Sequence, residues 1–227
     1  MLLHIPQVLA PAQVTEIRQL LDTTEHWKNG RQSAGAQAQK IKNNLQLDVN
    51  SDIYHDISTA ILQRLKQQLL IQSAALPKQI LRPMLNCYQD AGNYGNHVDN
   101  AIHTCPDTGR LIRTDVSLTL FLSNPDEYEG GELIVEDNYG CHEVKLDAGD
   151  AILYPATSLH RVEPVTSGKR LAAFTWIQSM VKDDWQRTTL FNLDMTIIKL
   201  HQQLGDSEEV LNLTHHYHNL LRQWGDL

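Results

Sequence analysis

The sequence predicts an α+β protein in which two packed sheets of jelly-roll type are flanked by helices at both ends of the chain. Three observations carry this. Apolar residues recur at helical spacing before Leu81 and again beyond Met180. Between those points, runs rich in Val, Leu, Thr and Phe alternate with polar residues. Clusters of Gly, Pro, Asn and Asp break those runs at short intervals, as turns between short strands do. An up-and-down barrel or a Greek-key sandwich would leave the same pattern, so connectivity stays open at this level.

The elements follow in order. A strand-like piece spans 2–9, and Pro11, whose fixed φ suits a first helical turn, opens a helix over 11–23 with Val14, Ile17, Leu20 and Leu21 on one face. The polar stretch 29–39 reads as a loop. Asn50 or Ser51 caps a second helix carrying Ile53, Ile57, Ile61, Leu65 and Leu69. Residues 1–80 are therefore expected to form a mainly helical support region. The core, 81–180, has candidate strands at 81–88, 94–99, 115–122, 132–136, 141–146, 150–154, 160–163 and 170–178. In the region 181–227, Asp183 and Asp184 mark a helix start, since acids suit the positive end of the helix dipole. Leu190, Leu193, Ile197, Ile198 and Leu200 follow, then a Gly205-Asp206-Ser207 break. A last helix carries Val210, Leu211, Leu213, Tyr217, Leu220, Leu221 and Trp224. The terminal helices are expected to buttress the sheets.

Composition excludes several classes. At 227 residues and 41% hydrophobic, the chain suits one sizeable domain with an extension, or two small domains. Lys and Arg number 19 against 27 Asp and Glu, and the net charge of −8 repels a phosphate backbone, so no nucleic-acid partner is expected. No apolar run approaches the roughly 18 residues of a membrane span, so no membrane partner is expected. Cys87, Cys105 and Cys141 form no Cys-x-x-Cys pair, which fits a reducing compartment and places the protein in the cytoplasm.

His97-Val98-Asp99 is the informative histidine motif, because residues i and i+2 of a strand point to the same side and bring an imidazole and a carboxylate together. His160, which follows the strand 150–154 and opens the strand 160–163, can supply a third ligand. Two His and one carboxylate on one face of a metal leave other positions open, the facial arrangement used by non-haem Fe(II) oxygenases. Arg170 shares a strand face with Ala172, Phe174 and Trp176, and an inward guanidinium there needs an anionic partner. It can hold the far carboxylate of a chelating keto acid through a bidentate fork. Along 115–122, Asp115, Ser117, Thr119 and Phe121 alternate with Val116, Leu118, Leu120 and Leu122; either the first set faces the site, or the strand is plain core. The long polar stretch 100–113 reads as a lid or as an inert surface loop.

Several segments together carry a resemblance. Met84-Leu85-Asn86-Cys87-Tyr88, Tyr94-Gly95-Asn96-His97-Val98-Asp99-Asn100, Gly130-Gly131-Glu132-Leu133, Leu159-His160-Arg161-Val162-Glu163-Pro164-Val165 and Arg170 resemble, in order and spacing, the prolyl 4-hydroxylase-like branch of the Fe(II)/2-oxoglutarate dioxygenases. Lys42-Asn43-Asn44-Leu45-Gln46-Leu47, Ile152-Leu153-Tyr154-Pro155 and Phe174 to Val181 are similar to the bacterial PKHD-type hydroxylases, and this likeness covers nearly the whole chain. The resemblance implies a double-stranded β-helix core and an Fe(II)-dependent dioxygenase. Its cosubstrates would be 2-oxoglutarate and O2, its products succinate, CO2 and a hydroxylated C–H carbon, and L-ascorbate would keep the iron reduced. It further implies His97, Asp99 and His160 as iron ligands and Arg170 on the 2-oxoglutarate C5 carboxylate. Tyr88 would reach the same cosubstrate, and Tyr94 and Leu133 would line the pocket. Relative to animal members, one residue is missing between Tyr88 and His97 and one is added between His160 and Arg170. The substrate would be a prolyl or lysyl group in a peptide, a free amino acid or a small metabolite.

Two rivals compete with this reading. A cupin-like metalloenzyme, an isomerase or hydrolase, could reuse His97, Asp99 and His160 but has no need of Arg170. A non-catalytic jelly-roll ligand-binding or scaffold protein would make its useful contacts through the helical tail, binding no iron and consuming no 2-oxoglutarate. Other features read as structural: His215 and His218 on a solvated helix face, Cys87 as a small buried residue, and the C-terminal apolar stripe as core, with a homodimer seam as its alternative.

Overall fold

The computed structural model describes residues 1–33 and 38–227. Its N-terminal part runs β1 (Leu3–Ile5), α1 (Pro11–Thr23), β2 (Trp27–Asn29), β3 (Lys42–Asn43), β4 (Leu45–Leu47), α2 (Asp52–Gln67), α3 (Leu69–Ala75) and β5 (Pro77–Ile80). Next come β6 (Met84–Tyr88), β7 (Asn93–His97), β8 (Ile102–Thr104), β9 (Leu111–Arg113), β10 (Val116–Phe121), β11 (Tyr128–Gly130) and β12 (Leu133–Asp137). β13 (Gly140–Val144), β14 (Ala151–Pro155), β15 (Leu159–Val162), β16 (Val165–Gly168), β17 (Arg170–Ser179), α4 (Asp184–Leu204) and α5 (Glu208–Trp224) complete the chain.

Two sheets face each other. Among the described residues the larger has eight strands, in the order β1-β14-β10-β17-β6-β4-β2 with β5 also on β17; the smaller has five, in the order β13-β12-β15-β7-β3. Their pairing is antiparallel throughout. Period-two alternation gives the larger sheet two distinct faces. Val116, Leu118 and Leu120, Leu85 and Cys87, and Leu171, Ala173 and Ile177 pack in one core with Val14, Ile17, Leu21, Ile57, Ile61, Leu65 and Ile71 of the helices. The opposite face carries Ser117, Thr119, Asn86, Tyr88, Arg170, Ala172, Phe174 and Trp176, all lining one cavity. The two readings of strand 115–122 are thereby settled: its Ser and Thr face the site and its aliphatic residues lie under the helices. Tyr88, Phe121, Leu133, Val135, Tyr154 and Val162 form the apolar layer between the sheets.

Local signals place the helices. Pro11 begins α1, and the Ser51 hydroxyl caps α2 by accepting from the Tyr54 amide at 3.3 Å. Asp183 caps α4 from its side chain, and Ser207 caps α5 after the expected break. No helix is long and apolar enough to cross a membrane among the described residues.

Several details differ from the sequence reading. Leu69 does not continue the apolar face of α2: the chain is extended at Gln68, which resets the helical phase, and Leu69 opens α3 at 79% exposure. Leu211 and Ile198 are likewise exposed, and only Val210 of α5 is fully buried. The first 80 residues contribute strands to both sheets as well as helices. Within 29–39, the described residues form β2 and two short 3-10 turns, Gly30–Ser33 and Ala38–Lys40, while 34–37 lie outside the described residues. The polar stretch 100–113 contains the hairpin β8–β9. Beyond β17, Leu76, Val181 and Leu190 pack with Tyr217, Leu220, Leu221 and Trp224, seating α4 and α5 against the rest of the chain.

Candidate active site

Neighbouring strands bring the metal-binding candidates together. His97 ends β7 and His160 lies on β15, and the antiparallel register sets them directly opposite each other, so both imidazoles project from the same face, centroids 4.2 Å apart. Asp99 lies past the end of β7, so strand geometry alone does not aim it. It is held by Ser117 on β10, whose hydroxyl donates to Asp99 Oδ2 at 2.5 Å. Asp99 Oδ1 is then 3.9 Å from His160 Nε2, and one donor atom from each of the three residues lies within 4.8 Å of the others.

Backbone carbonyls fix the tautomers. His97 Nδ1 is 2.8 Å from the Gly95 carbonyl and His160 Nδ1 is 3.0 Å from that of Ser158. A carbonyl only accepts, so each Nδ1 carries a proton and Nε2 is the nitrogen each ring turns to the cluster as a ligand atom. Burial first, and the neighbouring His160 second, push His97 down to about 4, so it stays neutral at pH 7. Two imidazole nitrogens and one carboxylate oxygen are the donor set that ferrous iron accepts on one face.

Arg170, the first residue of β17, lies opposite Tyr88 of β6 and is 2% exposed. Its guanidinium sits 5.3 Å from the Tyr88 ring centroid and 5.1 Å from that of Phe121. Nε and Nη2 make no hydrogen bond, and no carboxylate pairs with it, among the described residues. Burying a cation with unused donors is costly unless an anion completes the site, so a carboxylate bound from outside fits here.

The remaining predicted residues are in the same cavity. The Tyr88 hydroxyl accepts from Asn86 Nδ2 at 3.4 Å, and burial raises its pKa. Tyr94 stacks on His97 with centroids 3.6 Å apart, which limits rotation of that imidazole. Leu133, 2% exposed, lines the wall on β12. Tyr154 meets His160 edge-on at 5.2 Å. The sequence reading did not single out the Asp99–Ser117 pairing, which joins residues from different sheets, nor Lys42 as a cavity residue. A buried Lys on a two-residue strand leaves no periodic signal.

Comparison with known proteins agrees with this geometry. Residues 83–178 match the family model of the 2OG-Fe(II) oxygenase superfamily, and residues 184–226 match that of the PKHD-type hydroxylase C-terminal domain. A PKHD-type hydroxylase of Hyphomonas neptunium is 55% identical over 226 residues, covering 100% of both chains, and one of Saccharophagus degradans is 55% identical over 225 residues, covering 99% of each. Among solved structures, a Pseudomonas putida prolyl-4-hydroxylase superposes with a TM-score of 0.51 at 18% identity, covering 78% of this chain and 92% of that one, which establishes a shared jelly-roll fold. The chain therefore belongs to the PKHD-type hydroxylases of the 2OG-Fe(II) oxygenase superfamily and is an Fe(II)- and 2-oxoglutarate-dependent dioxygenase.

Proposed function

We propose that His97, Asp99 and His160 hold the iron of this dioxygenase and that Arg170 clasps the C5 carboxylate of 2-oxoglutarate. The observation that carries the assignment is a buried guanidinium with unused donors in the same cavity as a His/Asp/His cluster. Bound there, ferrous iron supplies oxygen activation coupled to decarboxylation of 2-oxoglutarate to succinate and CO2, and oxidation of an unactivated C–H bond. The chain's own residues then have separate tasks. Gly95 and Ser158 carbonyls orient the imidazoles, Ser117 orients the carboxylate, and Tyr94 fixes the plane of His97. Tyr88 and Phe121 give the guanidinium a dry, aromatic bed, which strengthens its pairing with a carboxylate. Leu133 and Tyr154 help exclude water from the cluster.

In this reading 1–80 is a support region, 81–180 the catalytic core and 181–227 a helical extension, close to the limits of the two family matches. The family name favours a prolyl or lysyl carbon, in a peptide, amino acid or metabolite, as the hydroxylated position. The cysteine pattern favours the cytoplasm, ascorbate fits the need for reduced iron, and exposed Leu211 and Ile198 are where a homodimer seam would form. A cupin-like isomerase or hydrolase leaves Arg170 without a role.

Titration of the purified chain with Ni(II) and then 2-oxoglutarate, alongside succinate release with Fe(II), tests the assignment. Arg170→Ala should weaken 2-oxoglutarate binding by about a hundredfold or more while metal binding persists. Wild-type 2-oxoglutarate affinity in that variant would remove Arg170 from the site.

A further inference from the structure

A second cation lies in the same cavity. Lys42 is 3% exposed and lines the space shared by Asp99, His160 and Arg170. Its strand β3 pairs with β7, Lys42 opposite Tyr94, and Nζ stands 5.1 Å from the Tyr94 ring centroid and 5.9 Å from that of Phe174. Arg170, by contrast, lies among Tyr88 and Phe121. Arg170 and Phe174 share a face of β17 four residues apart, which separates their Cα atoms by about 13 Å along the strand. A 2-oxoglutarate that places one carboxylate on Arg170 and the other at the metal cluster has none left for Lys42.

The walls around Lys42 are aromatic. Phe174 meets Trp176 edge-to-face at 5.4 Å and 89°, and His103 from β8 stacks on Trp176 at 4.1 Å. His103 Nε2 is buried without a hydrogen-bond partner among the described residues, so this wall offers one unused polar atom. Burial lowers Lys42 to about 8, which leaves the ammonium form in the majority at pH 7.

We propose that Lys42 is a specificity residue for the primary substrate: its ammonium receives a carboxylate of a molecule whose apolar, ring-sized body lies against Phe174 and Trp176. The proposal rests on the iron and 2-oxoglutarate assignment above and deepens it by naming the chemistry of the second ligand. It would make the substrate an organic acid, with the target C–H presented from the Phe174 side of the cavity.

The test uses the full chain loaded with Ni(II) and 2-oxoglutarate, titrated calorimetrically with 3-phenylpropionate and, separately, with its neutral amide. Wild-type protein should prefer the carboxylate by about tenfold or more. Lys42→Met should erase that preference with 2-oxoglutarate affinity unchanged, and Lys42→Arg should keep it. Absence of a carboxylate preference in wild type, including absence of saturable binding by either probe, overturns the proposal even if the variants do not fold. Loss of 2-oxoglutarate affinity in Lys42→Met also overturns it, because Lys42 would then serve the cosubstrate. Failure of wild-type protein to take up Ni(II) with 2-oxoglutarate would instead strike the assignment of the centre itself.

Discussion

At His97 and His160 the carbonyl two residues upstream accepts a hydrogen bond from Nδ1–H, so the same local arrangement turns Nε2 of both rings to the cluster. His97 also pays for its burial in protonation: its folded pKa of about 4 lies below the 6.5 of an ordinary imidazole. Between those values the unfolded chain binds a proton that the folded chain refuses, so stability falls as pH drops from 6.5 towards 4. The loss is about 3 kcal/mol at most. In metal-free protein, urea unfolding across this window should show a shallower pH slope for His97→Gln than for wild type; identical slopes would mean that His97 titrates normally. His-x-Asp spacing made these residues visible in the sequence. It could not show that Asp99 lies beyond the strand and is aimed by Ser117, because that hydrogen bond links residues brought together only when the sheets face each other.

Among the elements, β10 and β17 were the most legible: aliphatic and polar residues alternate along Val116–Leu120 of β10, β17 carries Arg170 on one face with Ala172, Phe174 and Trp176, and one residue of slip would bury Ser117 and Arg170 under the helices. The β8–β9 hairpin was not legible. Its strands are three residues each, and its apolar contacts, Cys105 and Ile112 against Leu81 and Trp176, come from distant parts of the chain. The segment between β11 and β12 shows how an element sets site geometry. Gly131 has φ +68°, and an added Cβ would lie 2.7 Å from Val165 Cγ2 and 3.1 Å from Arg170 Cδ. Gly131→Ala should cost about 1–3 kcal/mol of stability and displace the Arg170 stem. Calorimetry should find 2-oxoglutarate binding weakened more than Ni(II) binding; equal affinities for both ligands would show that the segment relaxes without moving Arg170.

For the whole molecule, the three cysteines report on packing. Cys87 and Cys105 are buried, in the helix-covered core and on the β8–β9 hairpin against Leu81 and Trp176 respectively, and Cys141 is exposed. Burial raises the Cys87 thiol to about 11, so little reactive thiolate exists at pH 8. Iodoacetamide should therefore modify Cys141 alone in folded protein, with Cys87 and Cys105 reacting only after denaturant, as peptide mass mapping would read. Rapid modification of Cys105 without denaturant would show that the β8–β9 hairpin does not stay packed on Trp176. The sequence by itself determined the helix and strand periodicities, the His97-Asp99 spacing and an Arg170 on an inward face, because each depends on neighbours one to four residues away. Only the tertiary structure decided which polar faces meet. Antiparallel register placed His160 against His97, and the facing of the two sheets put Ser117 on Asp99 and Lys42 beside Phe174; both are fixed by burial across whole sheets rather than by any local stretch of chain.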